Sequence, residues 1–163
     1  MNRNPKPSLL SIYYKCFSFL SKIKQAARMS KLKAIGYKNI SRTSVIESEV
    51  LLDKVNKTGI YIGSGSLVAA RSVILSHEHV YRDEANPELP YNVDTIIGKR
   101  VFVGVGAMIL PGAVIGDDSV IGAYAVVRGI IPEGSLVVGN PGKVVRSGLK
   151  LDNNARLIIH STK

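Results

Sequence analysis

From Ile62 onward, aliphatic residues recur at every sixth position: Ile62, Val68 and Ile74, then, after a gap, Ile97, Val103, Ile109, Ile115, Ile121 and Val127. The residue after each is usually small (Gly63, Ala69, Gly98, Gly104, Gly116, Gly122), and so is the one four positions on (Ser66, Ser72, Ala107, Ala113, Ser119, Ala125). Residues 97–126 keep this phase through five consecutive hexads, with Leu110 as the one bulky intruder. A period of six implies one short strand and one corner per hexad, three hexads making one triangular turn of a β-solenoid. The aliphatic residue points into the prism and stacks on its equivalents about 4.8 Å away along the axis. The later small residue also points inward near a corner, and glycine beside the aliphatic is expected to ease the bend. Ile40, Ile46 and Leu52 hold the same spacing before it slips, which predicts a first, irregular coil over residues 40–61.

Upstream the period changes. Leu9, Tyr13, Phe17, Leu20 and Ile23 recur at helical spacing, with Lys15, Ser18, Lys22 and Arg28 largely elsewhere on the wheel, predicting an amphipathic helix from about Ser8 to Lys33. Lys15 interrupts the apolar run, which is too short to span a bilayer, and no small-residue cleavage site of a signal peptide follows it. Two roles remain open: packing on the body of the protein, or lying on an anionic membrane surface.

The pattern stops between Ile74 and Ile97, where Pro87 and Pro90 stand among charged residues such as Arg82, Asp83, Glu84 and Glu88. Such a stretch cannot line an aliphatic prism, so it must leave as an excursion loop, placed at residues 77–95. Long loops in repeat domains usually carry function. Two of the three histidines, His77 and His79, sit where the chain departs. The division that results is a basic helical arm over 1–39, a β-helix domain over 40–148 and a tail over 149–163, in which His160 is expected to be a solvated bystander.

Composition agrees with a narrow, aromatic-poor interior: no tryptophan and three phenylalanines in 163 residues. The net charge of +10 is concentrated, because residues 1–40 hold nine basic residues and no acidic one, leaving 13 of the 22 basic residues against all 12 acidic ones. A nucleic-acid binder would spread cations over a folded face among stacking aromatics, so no nucleic-acid partner is expected. The single cysteine, Cys16, excludes an intramolecular disulfide and fits a reducing compartment.

The repeat, with the closing stretch Val138-Gly139-Asn140-Pro141-Gly142-Lys143-Val144-Val145, resembles the hexapeptide-repeat acyltransferases, and among them the galactoside, maltose and capsular-sugar O-acetyltransferases. The resemblance covers about residues 40–148. It implies an all-β fold, a left-handed parallel β-helix that is an exception to the right-handed crossover rule, with the N-terminal helix and one excursion loop. It also implies a homotrimer that transfers an acetyl group from acetyl-CoA to a sugar hydroxyl. Ser76-His77 matches the family's motif for a general base, which makes His77 the expected catalytic residue and His79, pointing the same way two positions on, the second choice. An imidazole with an ordinary pKa near 6.5 suits removal of a hydroxyl proton. A carboxylate or carbonyl should fix its tautomer, with Asp53, Glu47 and Glu78 as candidates.

For acetyl-CoA, the resemblance points to Gly104, Val105 and Ala107 in one coil, Ala123 in the next, and the cations Arg128, Lys143 and Arg146 for its phosphates. Two positions depart from the family: Phe102 stands where tryptophan is frequent, and Arg128-Gly129 where threonine-lysine is. No metal is expected. The rivals are a zinc enzyme on the same scaffold, needing His77, His79 and a third histidine, and a scaffold without catalysis. The expected acceptor is a sugar or glycan, such as a lipid-linked surface-polysaccharide precursor, and the expected location is the cytoplasm at the inner face of the cell membrane, with residues 1–35 in peripheral contact.

Overall fold

The computed structural model describes residues 9–81 and 84–158, and the side chains of residues 9–16 fall outside that description. The expectations for His160, Arg82 and Asp83, and for the side chains of Leu9, Tyr13 and Lys15, therefore lie outside the described residues. One helix, α1 (Leu9–Ala34), is followed by short strands that coil into a left-handed parallel β-helix.

Stacking of equivalent hexads produces three parallel faces. Val45–Ile46, Leu67–Val68, Phe102–Val103, Val120–Ile121 and Leu136–Val138 form the first. Leu51–Leu52, Val73–Ile74, Met108–Ile109 and Val126–Val127 form the second. Ile60–Ile62, Thr95–Ile97, Val114–Ile115 and Ile130–Ile131 form the third, with Ile40 bridged to Ile62. The nine aliphatic residues of the repeat are at most 2 % exposed. Burial of each such side chain contributes about 1.5–3 kcal/mol, so the stack is the main source of stability.

The inward fifth position behaves as the spacing predicts. Ala107, Ala113 and Ala125 are buried, and the buried serines satisfy their hydroxyls on carbonyls: Ser66 donates to Gly98 O at 2.7 Å and Ser72 to Ala69 O at 2.7 Å. The glycine beside the aliphatic has a different task from the one expected. The left-handed backbone lies two residues further on, at Gly65, Arg71, Arg100, Gly106, Gly112, Asp118 and Tyr124, whereas Gly63, Gly98, Gly104 and Gly116 are not among the positive-φ residues. Those glycines are required by the neighbouring coil. A Cβ on Gly63 would stand 2.5 Å from Gly98 O, and one on Gly116 would stand 2.5 Å from Glu133 N. Gly63→Ala should therefore cost about 1–3 kcal/mol through forced backbone shifts. Gly129→Ala, at a φ of +76° with nothing near its Cβ, should cost only the local strain of about 1–2 kcal/mol. Thermal melts of the two variants should rank in that order.

The irregular stretches are corners of unequal size. The first coil does stack, Ile46 under Val68 and Leu52 under Ile74, and its slip is absorbed by residues 53–59 with a 3₁₀ turn at Lys57–Gly59. After Val127 the corner shrinks to Arg128-Gly129, so that Ile131 rather than residue 133 falls beneath the aliphatic row. Lys143–Arg146 turns back antiparallel on Leu136–Val138 and covers the sheet edge. Residues 149–158, the described part of the segment assigned to a tail, stay on the domain. Leu149, Leu151 and Ala155 are buried against Leu67, Phe102, Val120 and Leu136, the outward residues of the first face. Asp118 anchors them by accepting from Leu151 N while pairing with Arg100 through two 2.8 Å bonds.

At the other end α1 covers the first coil. Met29 and Tyr37 are buried, Leu32 packs on the core, and Gln25 donates to Ser44 O at 3.2 Å. No helix among the described residues is long and apolar enough to cross a membrane.

Candidate active site

The excursion leaves the prism at the corner between the second and third faces. His77–Glu78 pairs antiparallel with Tyr91–Asn92, His77 opposite Asn92, so the loop departs as a two-stranded ribbon. Thr95, fully buried, pins the return: its hydroxyl donates to Leu75 O at 2.6 Å and accepts from Gly112 N at 3.1 Å. The first histidine is thus held by regular structure, on the first residue of the ribbon, three residues past the coil strand Val73–Ile74.

Directly below lies Asp53, whose side chain is fully buried. Its Oδ1 accepts from Val55 N at 2.8 Å and Asn56 N at 3.3 Å, and its Oδ2 accepts from Ser76 N at 2.7 Å and from the Nδ1 of His77. Burial pushes its pKa up. The Ser76 N–H, the His77 ring and the Val55 N–H together outweigh burial and hold the carboxyl below its ordinary value. Asp53 is therefore an ionised acceptor, and Nδ1 of His77 carries the proton. When the ring is neutral its Nε2 presents a lone pair, pointing away from the core. The three candidate carboxylates are resolved: Glu47 accepts from Ala70 N instead, and Glu78 binds His79 N and Val80 N.

His79 does not stand apart from His77. The two rings meet edge to face with centroids 4.8 Å apart, and their Nε2 atoms are 3.0 Å from one another. With the lone pair on His77, the exposed His79 ring is the donor. Glu78 lies alongside, its Oε2 3.7 Å from Arg128 Nη2. The Val80 N–H is the main influence lowering its pKa, with the His79 N–H and Arg128 adding to it against a desolvation effect. The alternative zinc set needs a third histidine, either His160, outside the described residues, or one from another subunit; among the described residues no three ligating side chains converge.

Some supporting residues escape the sequence. Asn56 and Ser76 bond reciprocally, Asn56 Nδ2 to Ser76 O at 2.8 Å and Ser76 Oγ to Asn56 O at 2.6 Å. Tyr37 donates to Asp53 O at 2.9 Å, and burial, followed by the Asp53 charge, raises its pKa. One available signal was the stacking register: Leu52 beneath Ile74 places Asp53 one coil below the residues that open the loop.

The residues expected to hold acetyl-CoA are divided. Gly104, Val105 and Ala123 lie at the corner between the first and second faces, away from the histidines. Among the described residues the N–H groups of Val105 and Ala123 have no hydrogen-bond partner, and both residues are exposed. Ala107 departs from expectation: its side chain is buried in the prism, its N–H donates to Gly104 O and its carbonyl accepts from Val73 N, leaving no free N–H to offer a ligand. Phe102 lies under the C-terminal segment. Arg128 belongs to the histidine corner, while Lys143 and Arg146 are exposed on the closing strand.

Residues 94–129 match the family model described as the bacterial transferase hexapeptide, six repeats. Over those residues the coil is a hexapeptide repeat. Two curated relatives of this chain are named transferases of acetyl groups. A lipopolysaccharide biosynthesis O-acetyl transferase of Escherichia coli (strain K12), so named provisionally, is 35 % identical over 97 residues, 53 % of this chain and 50 % of that protein. A chloramphenicol acetyltransferase of Agrobacterium fabrum is 38 % identical over 78 residues, 48 % of this chain and 37 % of that protein. The chain thus spans half or less of the length of these relatives. Among solved structures, a hexapeptide-repeat acetyltransferase of Vibrio cholerae in complex with acetyl coenzyme A superposes with a TM-score of 0.55, at 17 % identity, over 90 % of this chain and 93 % of that one. At that identity the likeness is one of fold.

Proposed function

We propose that the chain transfers an acetyl group from acetyl-CoA to a hydroxyl of a sugar, with His77 as general base. The observation that carries the reading is the Asp53–His77 pair at the mouth of the excursion loop, with Nε2 turned outward. The acceptor O–H gives its proton to Nε2 as its oxygen attacks the thioester carbonyl carbon. The C–S bond then breaks, and the imidazolium returns the proton to the leaving thiolate, restoring the neutral base. Asp53 stabilises the imidazolium without taking its proton.

Acetyl-CoA fits the free N–H groups of Val105 and Ala123, with Lys143, Arg146 and Arg128 as cations for its phosphates. The prism holds these backbone groups and His77 at different corners, which supports a homotrimer in which one subunit's histidine corner meets a neighbour's cofactor corner. The sugar acceptor rests on the lipopolysaccharide-related relative, and the chloramphenicol-related one supplies the competing hydroxyl. A screen of sugars, lipid-linked glycans and chloramphenicol, reading free thiol from acetyl-CoA, decides between them. Thiol release stimulated by a glycan is expected. Release stimulated by chloramphenicol alone, or by no acceptor, would overturn the sugar reading.

A further inference from the structure

Helix α1 carries two apolar surfaces, and the coil covers one. Gln25, Met29 and Leu32 face the first coil. Leu20 and Met29 are nine residues apart, as are Ile23 and Leu32, which is two and a half helical turns, so each pair lies on opposite sides of the helix. The side away from the coil therefore bears Leu20 and Ile23, 56 % and 49 % exposed, with Phe19 beside them at 64 %. This stripe is flanked on one side by Lys22 and Lys33 and on the other by Lys24 and Lys31.

We propose that this outer face of α1 docks on an anionic bilayer surface, lying in the plane of the interface with Phe19, Leu20 and Ile23 in the acyl boundary and the lysines at the headgroups. The charge distribution selects this occupant. Residues 1–46 contain no acidic side chain, so two copies of the helix would bring like charges together, whereas an anionic surface neutralises them at about 1 kcal/mol per basic residue near it. Amphipathic helices of this type bind by buried apolar area plus that attraction. Neither contribution depends on the acyl-transfer reading.

The test is flotation of the full chain with phosphatidylcholine vesicles, with and without phosphatidylglycerol. Flotation is expected only with the anionic lipid, and it should weaken with salt. Leu20→Glu/Ile23→Glu should reduce the bound fraction at least about tenfold, the factor given by losing one buried aliphatic side chain, with an unchanged melting temperature because Met29 and Leu32 still dock the helix. Lys22→Gln/Lys24→Gln should also reduce it while leaving the stripe intact. Equal binding to both vesicles, no binding to either, or full binding by the glutamate variant overturns the proposal, as does a glutamate variant whose sole change is in sedimentation, which would assign the stripe to a second copy.

Discussion

His77→Ala is expected to lower kcat for acetyl transfer by at least about a hundredfold while leaving acetyl-CoA affinity nearly unchanged. A positioned base typically contributes 10²–10⁴-fold, and a hundredfold corresponds to about 2.7 kcal/mol of barrier. The affinity should survive because the groups assigned to acetyl-CoA, the N–H groups of Val105 and Ala123 and the cations Arg128, Lys143 and Arg146, all remain when the imidazole is removed. Folding should survive as well, since Asp53 keeps the N–H groups of Val55, Asn56 and Ser76 after the imidazole is lost. His79→Ala is the control: with its Nε2 bonded only to the Nε2 of His77, it should cost less than tenfold. Measured kcat and isothermal titration with acetyl-CoA check both variants. A greater loss in His79→Ala would assign the proton to that ring.

The prism was legible because a six-residue period constrains nearly every residue over Ile62–Ile74 and Ile97–Val127. The irregular parts were less so, each for a physical reason. The glycines beside the aliphatics looked like bend residues because sequence shows only their position, while the coil above, which excludes their Cβ, is 16 or more residues away. The segment after Gly148 looked like a tail because Leu149, Leu151 and Ala155 follow no hexad; they pack on the outside of the first face, where the repeat makes no demand. Ala107 looked accessible because small residues serve both the inside of the prism and its corners. In the site, the loop and its histidines were visible as a break in the period. The choice of Asp53 over Glu47 and Glu78 required the stacking register and the corner of residues 53–59.

That choice leads to the second large effect. Asp53→Asn should lower kcat by about a hundredfold or more and destabilise the fold by about 1–3 kcal/mol at neutral pH. Both Asp53 oxygens accept hydrogen bonds, Oδ1 from Val55 and Asn56 and Oδ2 from Ser76 and His77. An asparagine has one oxygen, so in either orientation its NH₂ group faces N–H donors. Turned toward His77, that NH₂ favours the tautomer with the proton on Nε2, the atom that must accept the hydroxyl proton. Asp53 has its folded-state pKa lowered, so its stabilisation is present above the ordinary carboxylate pKa and is lost as pH falls through the folded value. The gap in melting temperature between wild type and Asp53→Asn should accordingly be full at pH 7 and narrow on acidification. A purely structural role would lower the melting temperature yet leave kcat intact well below it. An Asp53→Asn protein with wild-type kcat at low temperature would remove Asp53 from the mechanism, whatever its stability.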